Sequence, residues 1–278
     1  MAARNARTLT KFRGNLVLVG AGKMGGAMLD GWLARGLSPK KLMVIEPQPG
    51  KPVKALVRRG LRLNPKLDAL RADAIVIAVK PQAAPEVLPN LASLIGPATV
   101  VVSIMAGRSL TFLQSLLPRE TAIVRAMPNT PAAIGRGMTV AVGNAHMTSQ
   151  QKSVADRLLT ATGAVEWITD EALMDAVTAL SGSGPAYVFL LAEALARGGV
   201  AAGLPKELAE RLARATVAGS GELLNRASDD AATLRRNVTS PGGTTAAALE
   251  VLMSKDGLEA LMEKAIAAAT RRSRELDV

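Results

Sequence analysis

From Asn15 to about Trp167, short aliphatic and β-branched runs alternate with segments of helical periodicity. This alternation is the pattern of βαβ units around a parallel sheet. The predicted strands are Leu16 to Val19, Leu42 to Glu46, Ala74 to Val79, Val100 to Ile104, Ile123 to Ala126 and Met138 to Val142. Three are almost wholly apolar, as parallel strands covered on both faces require. Between the first two, Met24, Ala27, Met28, Gly31 and Trp32 recur at i, i+3, i+4, i+7 and i+8. This spacing predicts one buried helix face ending near Gly36.

After Trp167 the pattern becomes alanine- and leucine-rich helix to the end, with no further strand expected. The predicted fold class is therefore α/β, a Rossmann-type doubly wound sheet over residues 1–168 followed by an all-α domain over 169–278. In Ser181-Gly182-Ser183-Gly184-Pro185 the glycines are expected to break a helix and Pro185 to open the next. We read that segment as a hinge for helix packing rather than a direct ligand contact. The helix from Pro185 to Arg197 is apolar nearly all round, so it needs cover on every side. A helical domain of this size has little interior to supply such cover, which predicts a subunit interface. No internal repeat or low-complexity linker interrupts the chain.

Composition narrows the chemistry. The 278 residues contain no cysteine, which excludes thiolate catalysis, Fe–S clusters and Cys-ligated zinc and makes a disulfide scaffold implausible. His146 is the only histidine and sits in a loop-like stretch, so a His-rich metal site is excluded and solvation is the simplest role for it. The longest contiguous apolar runs fall far short of the roughly 18 residues that span a bilayer, so no membrane helix is expected. Arg4, Arg7, Lys11 and Arg13 before an apolar run faintly imitate a signal peptide, but glycines and Lys23 interrupt it, and a cytoplasmic location is expected. Net charge is +11, yet aromatics make up only 2% and do not interleave with the basic residues. That argues for a solvated basic surface attracting small anions rather than nucleic acid.

Gly20-Ala21-Gly22-Lys23-Met24-Gly25 directly follows the first predicted strand and opens the first helix, the context in which G-x-G-x-x-G signals a dinucleotide site. Gly20 would allow the tight turn, Gly22 the approach of a pyrophosphate and Gly25 the packing of helix on strand, with the anion at the helix N-terminus. Glu46 ends the second predicted strand, where an acidic residue accepts an adenosine 2′-OH and repels a 2′-phosphate. That favours NAD. Lys51 and Lys54 follow closely and are positioned to meet a phosphate, so NADH and NADPH both stay open; a solvated strand end is the other reading of Glu46.

At this point the chain resembles the pyrroline-5-carboxylate reductase family, from about Asn15 to Leu276. The resemblance rests on Ala78-Val79-Lys80-Pro81-Gln82, Met127-Pro128-Asn129-Thr130-Pro131, Leu180 to Tyr187, and Val238-Thr239-Ser240-Pro241-Gly242-Gly243-Thr244-Thr245. It implies NADPH- or NADH-dependent reduction of a cyclic imine, the last step of proline synthesis, by a homodimer or higher oligomer built through the C-terminal domain. It also implies cofactor contacts from Gly20, Gly22, Lys23, Met24, Gly25, Glu46, Ala78, Val79, Lys80, Pro81 and Ala106. Substrate contacts would come from Val238, Ser240, Gly242, Gly243, Thr244 and Thr245, with Thr245 near the imine nitrogen as the catalytic group. No metal is implied. Lys23 stands where the family usually has Asn, and Met105 where a small residue is usual; with Glu46 these bear on cofactor choice. The first 14 residues look like an extension outside the family.

The residues meet the needs of that reaction without histidine. A protonated imine is already a strong electrophile, so orientation and exclusion of water become the main contributions. Ser240 to Thr245, followed by Ala246, Ala247, Ala248 and Leu249, reads as a loop presenting backbone N–H groups at a helix N-terminus, a site for a carboxylate. Local sequence alone also allows an ordinary Pro-Gly turn with a threonine cap. Lys80 is either part of a nicotinamide-ribose wall or a solvated strand end, and Asn129 and Thr130 are read as shaping the cleft. Two rival functions remain open: a β-hydroxyacid-type dehydrogenase, for which Lys206, Lys255 and Lys264 are the only second-half lysines, and a non-catalytic NAD(P)-binding sensor.

Overall fold

A computed structural model describes residues 8–12, 14–67 and 71–276. Eight strands form one sheet: β1 (Leu16–Val19), β2 (Leu42–Ile45), β3 (Arg62–Leu63), β4 (Ala74–Ile77), β5 (Val100–Ser103), β6 (Ala122–Met127), β7 (Gly137–Gly143) and β8 (Gly163–Trp167). Their order is β3-β2-β1-β4-β5-β6-β7-β8. All neighbours pair in parallel except β6 and β7. The chain order therefore reverses between β1 and β4, where doubly wound sheets bind ligands at their carboxyl edge.

Helices α1 (Lys23–Ala34), α2 (Lys51–Val57), α3 (Ala84–Val87), α4 (Leu110–Leu116) and α5 (Ser149–Leu159) accompany the sheet. Alternate strand residues feed two separate cores. Leu16, Leu18, Val44, Val76 and Val102 pack with Trp32 and Leu158, while Val17, Val19, Ile75, Ile77 and Val101 pack with Leu88, Leu91 and Leu113. Burial on both faces is why these strands read as continuous apolar runs. Trp32 is fully buried, with its indole N–H donated to the Leu158 carbonyl at 2.9 Å. In α1 the buried face is Gly25, Met28, Leu29 and Trp32; Met24 and Ala27 are only half-buried.

Several strands leave the ladder earlier than the sequence predicts: β2 stops at Ile45, β4 at Ile77 and β5 at Ser103. The residues beyond them turn away at the carboxyl edge to form the site loops. The sequence missed β3 and β8. β3 is two residues long, and β8 is an edge strand whose residues alternate between half-buried and exposed. In the N-terminal segment, Leu9 and Phe12 are buried in the Trp32 core, and the Leu9 N–H donates to the Arg35 carbonyl at 2.8 Å. Arg4, Arg7 and Arg13 lie outside the described residues.

The helical part comprises α6 (Met174–Val177), α7 (Gly184–Ala201), α8 (Lys206–Arg226), α9 (Ala231–Asn237), α10 (Thr244–Leu252) and α11 (Leu258–Leu276). Between α6 and α7, residues Thr178–Gly182 form a wider π-type turn, and Pro185 lies in the first turn of α7. The predicted break does not occur: the helix widens through Thr178–Gly182 and continues through Ser183, whose backbone is helical, into α7. Among the described residues two compact units emerge: residues 8–182 together with 270–276, and Ser183–Ala269.

No residue of α7 is buried in the single chain. Val188, Phe189, Leu190, Leu191, Leu195 and Val200 are all exposed, and so are Leu212, Leu223 and Leu224 of α8, Val251 and Leu252 of α10, and Leu258 and Leu261 of α11. Glu171–Ala201 forms one 31-residue helical stretch with a window of mean hydropathy 1.2, of which 6% is buried. By length and composition alone this helix is long and apolar enough to cross a membrane. The sequence shows only short apolar runs because single small and polar residues interrupt them, and the helix joins those runs into one.

Candidate functional site

The glycine loop follows from β1 by local geometry. Gly20 has φ +90°, and a Cβ there would lie 2.7 Å from the Ala78 carbonyl oxygen. A Cβ on Gly25 would overlap the Gly20 carbonyl oxygen and sit 3.1 Å from the Ala78 Cβ. Gly20, Gly25 and Ala78 are therefore packed together, with the Gly20 N–H bonded to the Ile45 carbonyl and the Ala78 N–H to the Val19 carbonyl. Gly22 differs, because a Cβ there would meet nothing within 4 Å. It is the N-cap of α1 and makes no side-chain cap, so the first-turn N–H groups from Lys23 to Gly25 face an open, uncapped helix N-terminus. That geometry fits a pyrophosphate.

Loops 20–25, 46–50, 78–81 and 104–108 leave neighbouring strands at the same edge, since Val19 is in register with Ile45 and Ile77, and Ile77 with Ser103. Lys23 and Lys80 are exposed, Met24 and Val79 half-buried. Lys80 is the N-cap of the short turn that begins at Pro81, its backbone carbonyl accepting the Ala83 N–H at 3.0 Å. Ala106 is exposed beside Gly107, which has φ +62°. Met105 is 3% exposed and packs in the core with Ile77 and Leu113. Its bulk is thus directed into the core, and only the small Ala106 faces outward.

Glu46 is more constrained than a solvated strand end. Its Oε2 accepts the Ala21 N–H at 2.8 Å and its Oε1 accepts the Gln48 N–H at 2.9 Å. Asn64, at φ +46°, brackets the Glu46 backbone, accepting its N–H at 2.8 Å and donating to its carbonyl at 3.0 Å. Sequence reasoning missed Asn64. Its signal was the Asn-Pro pair at 64 and 65, since Asn tolerates left-handed backbone and such pairs mark turns.

Asn129 has structural partners: its side chain accepts the Met138 N–H at 2.9 Å and donates to Ser181 Oγ at 3.4 Å, tying the loop after β6 to β7 and to the π-type turn. Thr130 is exposed. The sequence also gave no notice of Arg125, whose buried guanidinium pairs with Glu171 Oε1 at 2.8 Å, the oxygen that also accepts the Leu110 N–H.

In the helical unit, Val238 ends α9 and is 65% exposed, and Ser240 is exposed. Asp230 caps α9 by accepting the Thr233 N–H at 2.7 Å, which holds its carboxyl below the usual range. Gly242 adopts φ +67°. Gly243 is the N-cap of α10 without a side-chain bond, which places Thr244 and Thr245 in the first turn. Neither threonine is the cap, so the ordinary threonine-capped turn is not what forms. The first α10 bond runs from the Ala247 N–H to the Gly243 carbonyl, leaving the amides of Thr244, Thr245 and Ala246 without an intrahelical acceptor. These uncapped amides are suited to a carboxylate. No cluster of metal-ligating side chains is found among the described residues.

Residues 15–107 match the family model described as NADP oxidoreductase, coenzyme F420-dependent, and residues 171–276 match that described as pyrroline-5-carboxylate reductase dimerisation. The pyrroline-5-carboxylate reductase of Synechocystis sp. is 42% identical over 94% of this chain and 97% of its own length. That of Pseudomonas aeruginosa is 38% identical over 94% and 96%. The solved structure of a pyrroline-5-carboxylate reductase from Coxiella burnetii is similar with a TM-score of 0.88 and 34% identity, covering 95% of this chain and 99% of that one. Plasmodium falciparum pyrroline carboxylate reductase with NADP bound gives 0.80 and 30%, covering 96% and 99%. With relatives this similar along nearly the whole chain, the glycine loop at the switch point and the uncapped second loop fall into place: this chain belongs to the pyrroline-5-carboxylate reductase family of NAD(P)H-dependent oxidoreductases.

Proposed function

We infer that the chain reduces 1-pyrroline-5-carboxylate to L-proline with NADPH or NADH. The observation that carries this reading is the pair of uncapped helix N-termini after Gly22 and Gly243, in a chain 42% identical to a pyrroline-5-carboxylate reductase. When bound, the reduced dinucleotide supplies a hydride. Gly22 and the amides of Lys23 to Gly25 would hold its pyrophosphate, while Ala78 to Pro81 and Ala106 would border its nicotinamide half. The amides of Thr244 and its neighbours, with the Ser240 hydroxyl and the close approach that Gly242 and Gly243 permit, hold the substrate carboxylate. Val238 is assigned with them to the substrate contacts. As hydride adds to the carbon of the protonated imine, the C=N π pair moves onto nitrogen, which keeps its proton as the neutral ring amine, and the Thr245 hydroxyl would donate a hydrogen bond to the new lone pair.

We assign dinucleotide binding to residues 1–168 and substrate binding with subunit assembly to 169–278. The exposed apolar residues of α7 are read as the face covered by a second copy, in agreement with the dimerisation model over this segment. The same cover explains the apolar Glu171–Ala201 helix without a membrane. A cytoplasmic enzyme acting on a small molecule, with no nucleic-acid partner, completes the proposal.

The test is oxidation of NADPH and NADH by the purified protein with pyrroline-5-carboxylate. Comparable kcat/KM on 2-hydroxy or 3-hydroxy acids would overturn it in favour of a hydroxyacid dehydrogenase. Binding of dinucleotide with no turnover of the imine would leave the sensor reading instead.

A further inference from the structure

A carboxylate at the end of β2 is ordinarily read as a ribose contact that selects between cofactors, yet here both Glu46 oxygens are engaged by backbone amides. Oε2 holds the Ala21 N–H at 2.8 Å, inside the glycine loop between Gly20 and Gly22. Oε1 holds the Gln48 N–H at 2.9 Å, in the turn that leads from β2 to α2. One side chain thus bridges the two loops between which the adenosine end of a dinucleotide must lie. The bridge is itself anchored, because Asn64 takes the Glu46 N–H at 2.8 Å and returns a bond to its carbonyl at 3.0 Å, from a left-handed position just after β3.

The glycine loop has no side chain of its own to fix it. Gly20 and Gly25 are packed against Ala78, but a Cβ at Gly22 between them would meet open space, so no side-chain contact restrains that part of the loop. A charge-assisted bond to Ala21 therefore restrains the one segment that must be held still for its amides to meet a pyrophosphate. Apparent affinity falls by the fraction of the loop that is correctly arranged, whichever cofactor arrives.

We propose that Glu46 is a positioning residue that staples the glycine loop to the β2–α2 turn, with Asn64 as its latch, and so sets affinity for NADH and NADPH together. This rests on the dinucleotide-binding reading of the loop. It departs from the expectation that Glu46 acts chiefly by repelling a 2′-phosphate.

The experiment uses the full chain, titrated with NADH and NADPH by nicotinamide fluorescence, and amide hydrogen exchange by mass spectrometry without ligand. Three chains are compared: unmodified, Glu46→Gln and Asn64→Gly. Glu46→Gln keeps the shape but offers one acceptor where two are needed. Asn64→Gly keeps the left-handed backbone and changes no charge, so it separates geometry from electrostatics. Both variants should weaken NADH and NADPH by a common factor, about 10- to 100-fold for Glu46→Gln. In both, peptides covering 20–26 and 46–50 should exchange faster than in the unmodified chain. The proposal is overturned if Glu46→Gln leaves NADH affinity unchanged and strengthens NADPH alone, or if exchange in both peptides is unaltered. Failure of the unmodified chain to bind either cofactor would instead overturn the dinucleotide reading, a result distinct from variants that bind as well as it does.

Discussion

Gly22 and Gly25 are three residues apart in one motif, but their surroundings assign them opposite reasons for being glycine, and alanine substitution separates the two. A Cβ on Gly25 would overlap the Gly20 carbonyl oxygen and press on the Ala78 Cβ at 3.1 Å. Both obstacles are held, the first as backbone of a loop bonded to β2, the second as the residue after β4 bonded to β1. Neither is the far end of a flexible side chain, so relief requires α1 to move off the sheet. Overpacking of this kind costs about 1–3 kcal/mol, and alanine's better helix propensity returns up to about 1 kcal/mol. Gly25→Ala should therefore be destabilised by about 1–2 kcal/mol, lowering Tm by about 2–8 °C for a unit of this size. A Cβ on Gly22 meets no protein atom within 4 Å, and the backbone there, φ −67° and ψ −161°, is open to an L residue. Gly22→Ala should keep its stability within about 0.5 kcal/mol while losing more than about tenfold in NADPH affinity, because the methyl occupies the path of the pyrophosphate. Calorimetry and fluorescence titration read the two effects separately. A Gly22→Ala chain that binds NADPH as tightly as the unmodified one would refute the placement of the pyrophosphate, and an unchanged Tm in Gly25→Ala would refute the close packing.

Thr245→Val, nearly isosteric, should lower kcat by about 10- to 150-fold, the equivalent of a 1.5–3 kcal/mol bond to a group whose charge is changing, with NAD(P)H affinity unmoved. Steady-state kinetics with pyrroline-5-carboxylate would show it, and full kcat in the variant would remove Thr245 from the chemistry. Ser240→Ala should raise KM with little change in kcat, since a carboxylate contact is made equally in ground and transition states; a kcat effect as large as that of Thr245→Val would contradict that division. In α7, Phe189→Glu places a charge on the exposed apolar face and should shift the light-scattering mass from oligomer towards monomer at micromolar concentration. An unchanged mass would move the interface elsewhere.

What the sequence disclosed and what it withheld divide along a physical line. Strands buried on both faces, such as β1 and β4, are legible because every position must be apolar, and the period needs no partner to be seen. β8 is half-exposed along its length, so its residues Gly163 to Trp167 satisfy no strong pattern until β7 lies beside them. The glycine loop is legible for the same reason as β1: sterics forbid a side chain at Gly20 and Gly25, and only one residue type meets that need. Glu46 shows the opposite case. Its position in the sequence suggests a ribose contact, but the atoms its two oxygens meet are the Ala21 N–H and Gln48 N–H, donors present in every residue but proline and invisible as sequence. Asn64 was legible as an Asn-Pro turn but not as a latch, because its partners are the backbone of a residue 18 positions away. α7 lies between these cases. Its all-round apolar surface announces that something must cover it, and the single chain leaves Phe189 and Leu190 more than half exposed. The need for cover is thus written in composition, whereas which residues supply it is not. A helix whose burial lies outside its own chain cannot be completed by any argument confined to that chain's periodicity, which is why the interface was the one feature inferred from a deficit.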